Sequence, residues 1–136
     1  MFIEDKQTIS VQIYYKMGKG GGMRVQTSIE KEMPDVKAQF RKLTVTLAPL
    51  NWKKYNDLQR VSMVDKGKIT GEDIDWLLYR EKKLSAVLTA WDAKDAADKP
   101  VPVNQENIFK LHPMIAEAIL NEYDRIVLLG EDEKKN

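Results

Sequence analysis

Along the first third of the chain, apolar and polar residues take turns. The run "TISVQIYY" sets Ile9, Val11, Ile13 and Tyr15 against Ser10, Gln12 and Tyr14, and "MRVQTSI" repeats the alternation with Met23, Val25, Thr27 and Ile29 on one side. A period of two is the signature of a strand with one buried face. Between the runs, "KMGKGGG" supplies glycines that accept positive φ, so the pattern predicts an antiparallel hairpin with a loose tip over residues 18–22. After a polar connection interrupted by Pro34, "FRKLTVTL" alternates again through Leu43, Val45 and Leu47 and predicts a third strand. A lone hairpin is marginal in water, so that strand or a packed helix is needed to hold it.

Beyond Pro49 the period lengthens. Trp52, Tyr55, Leu58 and Val61 fall three apart with Met63 on the flank, which predicts a short helix with Trp52 in the core. The stretch "DKGKITG" breaks it. Thr70 and Asp73 then stand at capping-box spacing, and Ile74, Leu77, Leu78, Leu84, Leu88 and Trp91 predict one long helical stripe. Pro100 and Pro102 lock "KPVPV" into an extended spacer. Asn104 is placed to cap a short helix that turns Ile108, Phe109 and Leu111 inward. Pro113 opens a last helix carrying Ile115, Ala118, Ile119, Glu122, Ile126 and Leu129 along one side, with Gly130 as its stop. The reading is an α+β fold in one domain of 136 residues: an N-terminal antiparallel β-hairpin or three-stranded sheet in 1–48, a mainly α-helical part of about four helices in 49–130, and a charged tail in 131–136.

Charge changes this picture little, because 22 basic and 21 acidic residues leave a net +1 and no global field for nucleic acid or acidic membranes. The absence of cysteine excludes disulfides, thiol nucleophiles and cysteine-ligated zinc, and makes a reducing cytosol the natural compartment. The opening "MFIEDKQTIS" has the look of neither a signal nor a transit peptide, and no run approaches the ~18 apolar residues of a membrane span.

Candidate chemistry is thin. "GKGGG" lacks the spacing and the following helix of a phosphate loop, and reads as a hairpin tip. His112, the one histidine, has no partner at metal-binding or catalytic spacing and reads as a surface or partly packed residue. "DKGKITGED" and "DAKDAAD" lack the ligand pattern of a calcium loop and read as solvated turns. No catalytic residue, cofactor or metal ligand is therefore expected. Of the tryptophans, Trp52 and Trp91 sit on their stripes, whereas Trp76 falls at a stripe edge, where such a side chain can anchor a partner.

The order of features in the second half is more specific. A helix closing on "LTAW", the acidic linker "DAKDAAD", then "KPVPVNQENIFKL", "HPMIAEAILNEY" and a terminal "KKN" resembles the tail assembly chaperones of long-tailed, siphovirus-like bacteriophages over about residues 40–136. The chain departs from that pattern in its longer linker and in having Asp98 and Lys99 where a glycine turn is common. The resemblance implies a binding protein and no enzyme. It would keep the long tape measure protein soluble in the host bacterial cytoplasm and help recruit subunits of the major tail tube protein. It would self-associate into multimers and be absent from the mature virion. A frameshifted longer product, made near Lys135 and Asn136, belongs to the same expectation. Partner binding falls to Trp76, Trp91, Pro100, Pro102, Phe109 and Leu111, the proline segment shaping a groove with Phe109 or Leu111 at its edge. The alternative is a small helical nucleic-acid-binding regulator, which would need basic residues clustered on the outer face of a recognition helix. The mixed-sign helix surfaces argue against it, as they do against any nucleic-acid or membrane partner.

Overall fold

The computed structural model describes residues 1–4, 6–63 and 74–129. Four strands, β1 (Ile9–Met17), β2 (Met23–Gln26), β3 (Arg41–Leu47) and β4 (Leu88–Trp91), form one antiparallel sheet in the order β2-β1-β3-β4. Around it stand α1 (Pro34–Lys37), α2 (Trp52–Val61), α3 (Trp76–Val87), α4 (Gln105–Phe109) and α5 (Pro113–Asp124), the last running into a π-helical turn at Arg125–Leu129. The fold is α+β, with the hairpin and third strand at the predicted places. At the tip of the hairpin, Gly20 and Gly21 take φ of 71° and 83°, values that a side chain would resist.

The sheet has a fourth strand where the hydrophobic stripe predicts helix. After Val87, Leu88 turns extended (φ −82°, ψ 110°), and Leu88–Trp91 pairs with the open edge of β3, Val45 opposite Trp91 and Thr46 opposite Ala90. Two causes combine. Val87, Thr89 and Trp91 suit an extended chain better than a helix, and β3 would otherwise leave a row of amides and carbonyls unpaired. The sheet therefore draws its last strand from the segment assigned to the helical part. The Thr70 and Asp73 box lies outside the described residues; α3 is capped instead by Asp75, whose carboxylate accepts the Leu78 amide at 3.0 Å.

One face of the sheet carries the core. Val11, Ile13, Leu43, Val45 and Leu47 pack with Leu84 and Val87 of α3, Ile108 of α4 and Ile115, Ile119, Leu120 and Tyr123 of α5. Full burial of an aliphatic side chain of this size stabilises by about 1.5–3 kcal/mol, so these few positions dominate the fold. The other expected core element is corrected. Trp52 is 80% exposed and Val61 is exposed as well, because α2 turns Leu58 and Ser62 inward and leaves its first turn in solvent. Ser62 is fully buried and satisfied, its hydroxyl donating to the Leu58 carbonyl at 2.7 Å.

The prolines and caps behave as their chemistry demands. Asn51 and Asn104 accept the Lys54 and Asn107 amides at 2.9 and 2.8 Å, and Pro113 begins α5, where no amide is needed. In "DAKDAAD", Asp95 accepts the Ala97 and Lys99 amides at 2.8 and 3.0 Å, and Asp98 closes the turn at φ 62°. Asp98 thus does the work of the glycine that the resemblance expects, aspartate being one of the few side chains that tolerate positive φ.

Candidate functional site

A groove of about 470 Å³ lies where α3, α4 and α5 meet. Its apolar floor is made by Leu84, Ile108, Ala116 and Leu120, with Leu111 and Pro113 on the wall formed by the α4–α5 corner. Phe109 stands at the groove 52% exposed, the last residue of α4. Asn104 starts α4 so that Ile108 is buried, and the next side chain, about 100° further round the helix, is turned toward the surface.

Charge braces the groove without filling it. Arg80 of α3 reaches Glu117 of α5 across the groove, and one turn further Lys83 pairs with Asp124 at 2.6 Å. Lys83 also lies over the rings of Tyr79 and Tyr123, at 5.7 and 5.3 Å from their centroids, so its charge is held by both a carboxylate and two π faces. Burial pushes the Tyr79 hydroxyl up to about 12, with Tyr55 adding charge repulsion and a hydrogen bond, and burial raises Tyr123 likewise. The Tyr123 oxygen accepts the Leu50 amide at 2.9 Å, tying α5 to the start of the α2 arm.

A second apolar surface lies at the other end of α3. Trp76 is 53% exposed and meets the Tyr79 ring edge-on at 5.3 Å, Tyr55 of α2 lies near Tyr79, and Leu77 is 76% exposed beside them. Leu77, expected on the inward stripe, therefore faces solvent.

Of the six partner-binding candidates, Phe109 and Leu111 come together on the groove, while Trp76 belongs to the aromatic surface at the far end of α3. Trp91, Pro100 and Pro102 line neither. Trp91 is half-buried against the core and donates Nε1–H to the Val101 carbonyl at 2.6 Å; the Pro102 carbonyl accepts Asn107 Nδ2 at 2.9 Å. These bonds dock the proline segment on β4 at one end and on α4 at the other, which fixes where α4 begins. Sequence reasoning missed Trp52 and the Arg80–Glu117 brace; an ion pair 37 residues apart leaves no spacing signal.

Among the described residues, no group of three or more His, Asp or Glu side chains could hold a metal ion, and no helix is long and apolar enough to cross a membrane. Lys16 and Arg24, cross-strand neighbours on the hairpin, lie 5.7 and 5.8 Å from the Phe40 ring centroid. Comparison with known proteins gives no match: no family model, curated protein or solved structure is significantly similar to the chain.

Proposed function

We propose that this protein is an assembly chaperone that holds apolar helical segments of a longer client, in the manner of the phage tail assembly chaperones that its second half resembles. The observation that carries the reading is the groove between α3, α4 and α5, with an apolar floor, an exposed phenylalanine at its edge and a charged brace across it. A groove of that kind fits the apolar face of an amphipathic helix, which inserts side chains three or four residues apart. The exposed Trp76, Leu77 and Trp52 give the same molecule further apolar contact, and many weak contacts along a long client add through avidity. On this reading the client is the tape measure protein, the tube subunits are recruited to it, and the chaperone acts as a binding protein in the host cytoplasm and leaves before the particle is complete.

The test is co-expression with the long, helix-rich protein encoded downstream, followed by affinity capture and measurement of the client's soluble fraction. Phe109→Ala and Trp76→Ala remove exposed side chains, so both variants should melt as the parent does. Each is expected to lower capture about tenfold, the effect of losing one aromatic contact worth ~1.4 kcal/mol. Undiminished capture by the double variant, or a client that aggregates equally with and without the protein, defeats the proposal.

A further inference from the structure

The tip of the glycine hairpin is tied to the groove by one side chain. Nδ1 of His112 accepts the Met114 amide at 3.2 Å, capping α5, and Nε2 lies 3.0 Å from the carbonyl oxygen of Gly21, 91 positions away in sequence. An imidazole nitrogen that accepts an N–H carries no proton, so the ring hydrogen sits on Nε2 and is donated to Gly21. One ring thus satisfies a helix end and holds a loop.

Little else holds that loop. The hairpin closes through the Gly18 amide to the Gly22 carbonyl at 2.7 Å, but a Cβ built on Gly20 or Gly21 would meet no atom within 4 Å, and residues 18–22 are all exposed. Among the described residues no other side chain bonds the 19–21 turn. The residues on either side of His112, Leu111 and Pro113, are the ones that form the groove wall at the α4–α5 corner.

We infer that His112 is a clasp: it holds the glycine tip against the α4–α5 corner and so couples the tip to the wall of the groove. A displacement of Leu111 or Pro113 moves the ring and pulls on Gly21, and whatever engages the tip is transmitted to the groove through the same bond. The clasp does not depend on what fills the groove; its use by a client rests on the function proposed above, and an assay on the free protein separates the two.

Lys19 lies in the tip and offers that assay. The protein, His112→Asn and His112→Ala are digested with limiting trypsin, and release of fragment 1–19 is followed by mass. Asparagine keeps the cap on the Met114 amide but is too short to reach Gly21, whereas alanine loses both bonds. Cleavage after Lys19 should rise about three- to tenfold in both variants, the factor that one net hydrogen bond corresponds to when opening precedes cleavage. The Asn variant should melt with the parent, and its Leu84 and Leu120 amide resonances, on the two helices that floor the groove, should shift. A parental cleavage rate in the Asn variant, or acceleration by alanine alone, overturns the clasp. Unmoved Leu84 and Leu120 signals overturn the coupling.

Discussion

Ser85 lies in α3 with its hydroxyl oxygen shut away from solvent and, among the described residues, without a hydrogen-bond partner. A buried hydroxyl without a partner gives up its bonds to water and gains none, and serine is also a poorer helix residue than alanine. Ser85→Ala should therefore raise unfolding stability by about 1 kcal/mol, read as a higher urea midpoint at unchanged slope. At this scale the sequence is most legible where one side chain acts on its own backbone. Asn104 and Pro113 announce their helix starts because capping and a fixed φ are local physics. Asp98 shows the limit: its positive φ compensates for an absent glycine, which no composition rule would single out. The roles of His112 and Ser85 depend on atoms supplied by other segments, so spacing along the chain carries no trace of them.

Among the elements, β1, β2 and β3 are legible because each has one buried and one solvated face, and their register puts Ile13 opposite Leu43 and Val11 opposite Val45 inside the core. β4 is not. "LTAW" is four residues long, too short to show a period, and it continues an apolar series from α3. What decides its state is the vacant edge of β3, a tertiary fact. The Asp92 amide donates to the Thr44 carbonyl at 3.1 Å, and strand alternation then directs the amide of Ala90 at its partner Thr46. Ala90→Pro removes that donor and should cost about 2–4 kcal/mol, whereas Ala86→Gly, on an exposed face of α3, should cost only about 1 kcal/mol. Were β4 a continuation of the helix, the proline penalty at position 90 would fall within the last turn and be accompanied by loss of helical circular dichroism. With a strand there, helical signal in the folded variant stays constant. α2 fails for a related reason: a three-residue spacing of Trp52, Tyr55, Leu58 and Val61 fits an amphipathic stripe, but only the face toward α3 is covered.

For the whole molecule, the joint between the sheet with α5 and the outer arm of α2 and α3 is a cluster of hydroxyls and charges. Tyr79 neighbours Tyr55, Tyr123 accepts the Leu50 amide, and Lys83 sits between the two buried rings, paired with Asp124. That joint sets how the fold answers to alkali. Burial, then Tyr55, keeps the Tyr79 hydroxyl protonated to about pH 12 in the folded state, against 10.0 for the free phenol. An acid whose pKa is raised by folding contributes its full stability below the unfolded value. As pH climbs past 10, the unfolded chain releases a proton that the folded chain retains, and stability falls until the folded hydroxyl also ionises. The loss therefore belongs to the window from pH 10 to about 12, with Tyr123, shifted in the same direction, adding to it. Tyr79→Phe keeps the ring against Trp76 and Lys83 and deletes the titrating group, so its urea midpoint should fall less steeply across that window than the parent's. Identical slopes for the two proteins would mean that the tyrosine joint does not govern the alkaline limb. A shallower slope for the variant would assign that share of the alkaline loss to Tyr79 at the α2–α3–α5 junction, next in sequence to the Arg80 whose pair with Glu117 spans the groove.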